Sequence, residues 1–215
     1  MTPQQKLDKF FSQYKLLQYK KGETFLRAGD APTGIYFIKK GFVRLYSLSS
    51  QGKELTLVLY KQGDFFPVVW TFTSQPSIYY FETLSNCEIF KAPRDKFINF
   101  VEENKHILDE IIDHILQRFQ VALRRMESLT FGNASSRLAS VLLIYANRLG
   151  VKQENTGIVI PIPLTHKDVA NLVGVARETV SIELKKFIDK GIIQRSGRFL
   201  AVKNKKALEK HADPI

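Results

Sequence analysis

Thr165-His-Lys-Asp-Val-Ala-Asn-Leu-Val-Gly-Val-Ala-Arg-Glu-Thr-Val-Ser-Ile-Glu-Leu-Lys-Lys-Phe187 carries two helical patterns joined at a glycine. The Thr165 hydroxyl can accept from the free backbone N–H groups of a first helical turn. Asp168, three residues on, can reach back, a capping-box variant. Val169, Leu172 and Val173 give that helix a buried face. Gly174 predicts its end, because the left-handed conformation that closes a helix strains glycine least. A second helix is predicted from Ala176 to Lys190, burying Val180, Leu184, Phe187 and Ile188. After Lys190-Gly191, the stretch from Ile192 to Val202 alternates as a hairpin with Ser196-Gly197 at its tip. A short strand, Ile158 to Pro163, precedes the first helix. Helix, glycine turn, helix and hairpin make a winged helix-turn-helix.

Many proteins that bind nothing contain a helix-glycine-helix pattern, so the polar residues decide the matter. Arg177, Glu178, Ser181 and Lys185 fall on the face opposite Val180, Leu184 and Phe187, one turn apart. An arginine at the head of such a helix can donate two hydrogen bonds to guanine O6 and N7, and a glutamate can accept from cytosine N4. The expected base-reading residues are therefore Arg177, Glu178 and Ser181. Thr165, His166, Thr179, Lys185, Ser196 and Arg198 are expected to hold phosphates, which position the module without reading sequence. The bland alternative is a solvated helix face. Charge favours a polyanionic partner: the formal net charge is +11. From Phe131 onward there are 14 Lys/Arg against 7 Asp/Glu, and in the first 130 residues 18 against 14. The positive surplus thus concentrates around the helical pair.

Upstream, about Lys20 to Pro93 reads as short strands rich in aromatic and β-branched residues: Glu23–Leu26, Ile35–Ile38, Phe42–Tyr46, Leu55–Tyr60 and Tyr79–Leu84. Glycine turns separate them, which predicts an antiparallel barrel without intervening helices. From about Arg94 to Thr130 the pattern turns helical. Leu108, Ile112, Ile115, Phe119, Ala122, Met126 and Leu129 alternate spacings of four and three, a heptad seam. A second row, Ile107, Ile111 and Leu123, lies beside it. The seam is expected to pair two copies of the chain and the second row to pack on the chain's own barrel; burial of the whole helix in one globule is the alternative. Phe131-Gly-Asn-Ala-Ser-Ser136 then reads as hinge and helix cap, followed by an amphipathic helix from Arg137 to Leu149. The expected fold class is α+β: an N-terminal antiparallel β-roll (jelly-roll-like barrel) over 1–105, a long dimerisation helix over 106–130, and a winged helix-turn-helix domain over 131–215.

Other function classes lack support. No run of eighteen apolar residues predicts a membrane span, and Met1 to Lys9 is too polar for a secretion signal. The single cysteine, Cys87, allows neither an internal disulfide nor an iron–sulfur cluster within one chain, and fits a reducing cytoplasm. His106 and His114 lie eight residues apart, about 12 Å by helical rise, too far to share a metal. Neither a Ser-His-Asp order nor a phosphate-cradling glycine loop suggests an enzyme.

Barrel, long helix, hinge and winged helix in this order resemble the CRP/FNR family of bacterial transcription regulators. Val173-Gly-Val-Ala-Arg-Glu-Thr-Val-Ser181 is similar to that family's recognition helix, and Gly22-Glu23, Gly41 and Gln62-Gly-Asp-Phe65 to its barrel turns. The resemblance implies a homodimer on palindromic double-stranded DNA that contacts RNA polymerase. Two positions depart: Ala176 replaces a serine cap, and Ile182 replaces an arginine. Cyclic-nucleotide members hold their ligand with Gly-Glu, Arg-Ser and Thr-Ser pairs. Here Pro67-Val68, about Ser77-Ile78, and Ala122-Leu123 stand at those places. A phosphate buried there without a cation would cost several kcal/mol, so the expectation is no cyclic nucleotide and no other cofactor. Phe65, Phe66, Trp70, Phe72, Tyr79, Tyr80 and Phe81 either fill the barrel or line an apolar effector pocket; its candidate lining is Val68, Ser77, Ile78, Ala122 and Leu123. A β-roll interaction protein that has lost DNA binding is the competing reading, and it predicts no salt-dependent affinity for DNA.

Overall fold

The computed structural model describes residues 1–212. The elements run α1 (Pro3–Phe11), β1 (Lys15–Tyr19), β2 (Thr24–Leu26), β3 (Ile35–Lys40), β4 (Val43–Leu48), β5 (Glu54–Tyr60), β6 (Phe65–Phe66), α2 (Val68–Thr73), β7 (Tyr80–Thr83), β8 (Cys87–Ala92), α3 (Arg94–Glu102) and α4 (Lys105–Phe131). They continue with α5 (Ala134–Leu149), β9 (Val151–Gln153), β10 (Gly157–Ile160), α6 (His166–Val173), α7 (Arg177–Asp189), β11 (Ile193–Ser196), β12 (Phe199–Val202) and α8 (Lys205–Ala212). Two compact units share them, one ending at Leu116 and one starting at Gln117, so α4 contributes to both.

In the first unit two antiparallel sheets, β1-β8-β3-β6 and β2-β7-β4-β5, form the β-roll. Strand β3 shows why its first four residues, Ile35 to Ile38, are all apolar. Tyr36 and Ile38 face a core with Val43, Tyr60, Phe66, Phe81 and Ile89, whereas Ile35 and Phe37 face a second core with α1, Phe97, Ile107 and Ile111. Successive side chains of a strand point to opposite faces, so a strand covered on both sides has no polar face. Phe11 stacks on Phe37 at 4.6 Å and Phe66 on Phe81 at 4.9 Å. The aromatic residues at 65, 66 and 81 thus fill the roll, while Phe72 is exposed.

The roll differs from its expected form in three ways. Helix α2 intervenes between β6 and β7, held by the buried Thr71 hydroxyl donating to the Pro67 carbonyl at 2.7 Å. Strands β1 and β8, paired along five residues, fall outside the strands the apolar pattern picks out, because Lys15, Gln18, Glu88 and Lys91 are mixed among their apolar residues. Helix α1 was hidden by its polar surface; only Leu7, Phe10 and Phe11 of it are buried.

Helix α4 presents two apolar rows of different fate. Ile107 and Ile111 are buried in the core beneath α1. Leu108, Ile112, Ile115, Phe119 and Met126 lie exposed, Phe119 and Met126 each at 59%; Ala122 is exposed and Leu129 half-buried. Leu123, read as part of the inner row, is 40% exposed.

In the second unit, α5 supplies Leu138, Val141, Leu142, Tyr145 and Leu149 to the core and packs against α6, α7 and α8. The sheet β11-β12-β10-β9 flanks them. The segment read as a hinge is tied down. Asn133 caps α5 by accepting from the Ser136 N–H at 3.0 Å. Arg137 donates to the Gly132 and Leu129 carbonyls, both at 2.9 Å. A side chain at Gly132 would meet the Ser128 carbonyl oxygen at 2.5 Å, so only glycine fits this corner.

Candidate nucleic-acid interface

Helix α6 begins as its sequence dictates. Thr165 and Asp168 form the full capping box: the Asp168 N–H donates to Thr165 Oγ1 at 3.1 Å, and the Thr165 N–H and hydroxyl donate to Asp168 Oδ2 at 2.8 and 2.7 Å. Gly174 closes the helix at φ +74°, with its N–H on the Ala170 carbonyl. The chain reverses through Val175 and enters α7 at Ala176, whose side chain caps nothing. Val180, Leu184 and Phe187 of α7 are buried.

That burial fixes which residues α7 presents to solvent. Arg177, Glu178, Ile182 and Lys185 are exposed, and Thr179 is half-buried. Arg177 and Glu178 occupy the first turn, where the backbone N–H groups are unpaired and anions are favoured. The β11–β12 hairpin pairs Ser196 with Phe199, so its tip is Gly197-Arg198, one residue beyond the expected Ser196-Gly197. Arg198 is exposed, its guanidinium 5.3 Å from the Phe199 ring centre, and Ser196 is half-buried.

Ser181 and His166 are engaged with one another. Ser181 Oγ lies 2.7 Å from His166 Nδ1 and donates to the Arg177 carbonyl at 3.0 Å. His166 Nε2 meets the Arg195 guanidinium from β11. Burial, then Arg195 and Arg177, lower the His166 pKa below its ordinary value.

Two arginines important to this architecture carry no signal in the sequence pattern. Arg195 is one of several wing cations until the fold brings it to His166. Arg125, on α4, is buried and donates to the Leu172 carbonyl at 2.7 Å, a cation at the C-terminal end of α6.

The candidate effector residues of the roll are occupied locally. Val68 packs against the α1 core, and the buried Ser77 hydroxyl donates to the Tyr79 carbonyl and accepts from its N–H. Ile78 is exposed at 72%, as is Leu123 at 40%. Ala122 and Leu123 belong to the second unit. The roll's buried cation, Arg44, is held by Glu54 and Glu82 at 2.8 and 3.0 Å, and Arg94 donates to the Thr71 carbonyl.

Residues 16–104 match the family model of the cyclic nucleotide-binding domain, and residues 136–211 that of the Crp-like helix-turn-helix domain. The cAMP-activated global transcriptional regulator CRP of Pasteurella multocida (strain Pm70) is 29% identical over 197 residues, which cover 91% of this chain and 93% of that protein. FixK2 from Bradyrhizobium japonicum has a similar fold, with a TM-score of 0.78 at 22% identity over 93% of this chain and 98% of that one. A CRP/FNR-family transcriptional regulator from Thermus thermophilus gives 0.70 at 25% identity, covering 92% and 98%.

Proposed function

The chain belongs to the CRP/FNR family of DNA-binding transcription regulators, and from that premise we propose that it binds as a homodimer to a two-fold-symmetric DNA site without a cyclic nucleotide. The observation that carries this reading is the head of α7. Its apolar face is buried, leaving Arg177 and Glu178 exposed side by side at the start of a helix that begins beside a glycine turn. Placed in a major groove, Arg177 donates to guanine and Glu178 accepts from cytosine, with Ser181 on the same face. Thr179, Lys185, Ser196 and Arg198 hold phosphates to either side; Thr165, whose N–H and hydroxyl both donate to Asp168, and His166, bonded to Ser181 and Arg195, are turned to partners within the fold instead. Ile182, 57% exposed, offers a thymine methyl a contact but no hydrogen bond.

The homodimer rests on the exposed α4 row, whose heptad spacing matches a two-stranded coiled coil. Contact with RNA polymerase is proposed by family membership, as is the cytoplasm as the place of work. The Pasteurella multocida relative is named as cAMP-activated; here the anchoring positions lack a free cation and carboxylate, which supports a different effector or none.

Selection of bound sequences from random double-stranded DNA tests the proposal. An enriched inverted repeat, bound with affinity that falls steeply with salt, is expected. Absence of any enriched two-fold site would overturn it.

A further inference from the structure

We propose that His166 is a positioning residue for DNA recognition: as a neutral imidazole carrying its proton on Nδ1, it bolts the wing to the recognition helix through a one-way chain of hydrogen bonds. The chain runs from Arg195 on β11 to His166 on α6, on to Ser181 on α7, and ends at the Arg177 carbonyl in the first turn of α7. The inference rests on the reading of α7 as the helix that enters DNA.

The direction of every bond follows from one end. A guanidinium has donors only, so His166 Nε2 must accept from Arg195. A neutral imidazole that accepts at Nε2 carries its proton on Nδ1 and donates from there to Ser181 Oγ at 2.7 Å. The Ser181 hydroxyl, accepting on that side, donates its own proton to the Arg177 carbonyl at 3.0 Å. Three elements separated by 29 and 15 residues in sequence are thereby joined at one imidazole. The chain ends on the backbone of the residue best placed to read a base, so it sets the rotation of that turn relative to the wing. Recognition depends on such alignment, since base contacts tolerate errors of only about half an ångström.

Protonation would undo the chain from its middle. Nε2 would become a donor facing another donor. The charged groups facing His166 are both cations, Arg177 from α7 and Arg195 from β11. On its own helix Asp168 is turned to Thr165. The imidazolium would be a third positive charge among them, which agrees with the lowered pKa of His166.

Two measurements test the proposal. In the full-length protein labelled with nitrogen-15 in its histidines, His166 is assigned by comparison with His166→Gln. It should be neutral with its proton on Nδ1 at neutral pH; the Nε2–H tautomer or an imidazolium would overturn the proposal. Binding is then compared between the selected site and a scrambled duplex of equal length. His166→Phe should reduce the ratio of the two affinities about ten-fold, the scale of one or two lost hydrogen bonds, with the salt dependence unchanged. His166→Gln, whose amide can donate at one atom and accept at the other, should restore most of it. If His166→Phe instead weakens both duplexes equally and takes about one unit off the salt slope, His166 is a phosphate contact and the proposal fails. It fails also if the ratio does not change. Wild-type protein that cannot distinguish the two duplexes would sink the reading of α7 itself, and the tautomer would still judge the hydrogen-bond chain.

Discussion

Arg177 and Glu178 owe their exposure to residues that never touch solvent. Val180, Leu184 and Phe187 pin the opposite face of α7, and only then does an arginine at its first position point outward. Arg177→Ala is expected to cost about 1–3 kcal/mol of binding free energy and to relax preference at one base pair per half-site. A competition assay over single-base variants of the site reads this directly; uniform loss over all variants would show that Arg177 holds only phosphate. Thr165→Ala removes one side of the capping box and should lower stability by about 1 kcal/mol, seen as a lower denaturation midpoint at unchanged slope. His166 adds a pH term. Its lowered pKa means the folded chain resists a proton that the unfolded chain accepts. Its contribution is therefore whole above the ordinary histidine value and is lost as pH falls through that value toward the lower folded one. Between about pH 7 and pH 5, wild type should lose more stability than His166→Gln; equal losses would show that another group titrates. The capping box was legible because Thr165 and Asp168 are three residues apart. The partnership of His166 with Arg195 was not, since it exists only once the wing has folded back.

At the scale of elements, α4 carries the proposal most open to a direct test. Its sevenfold repeat predicts a seam, and Leu108, Ile112, Ile115, Phe119 and Met126 are exposed in the single chain. Replacing Ile112 by Glu leaves the buried Ile107 and Ile111 untouched, so the fold should survive while self-association is lost. Sedimentation equilibrium should show a dimer for the wild type and a monomer for Ile112→Glu at micromolar concentration; a monomeric wild type would remove the seam's proposed role. The strands were less legible. Ile35 to Ile38 of β3 are apolar because both faces are covered there, and so stand out; β1 and β8 mix Lys15, Gln18, Glu88 and Lys91 with apolar residues and do not. Helix α1 escaped notice because three buried residues suffice to seat it. Composition makes Gly132 look permissive, yet its corner is tight, and Arg137 donates to the Gly132 and Leu129 carbonyls there.

For the molecule as a whole, the roll and the reading head differ in how fully they keep the family's chemistry. The head retains the arginine–glutamate pair; the roll has aromatic rings in its core, and Arg44 and Arg94 are engaged within it. Cyclic AMP or cyclic GMP in large excess should leave the melting temperature unchanged, since a ligand at one hundred times its Kd would add about 2.7 kcal/mol. A clear rise would reverse the view of the roll. The buried Arg125 bears on the DNA instead. It fastens the end of α6 to the C-terminal part of α4, and Arg137 fastens the α4–α5 corner, so the head holds the last turns of the helix through which two copies are proposed to pair. Helix-turn-helix dimers read half-sites about one turn of duplex, roughly 34 Å, apart. Operators for this regulator should accordingly be intolerant of spacing: adding or deleting a couple of base pairs between half-sites should abolish paired binding even where every contacted base is kept.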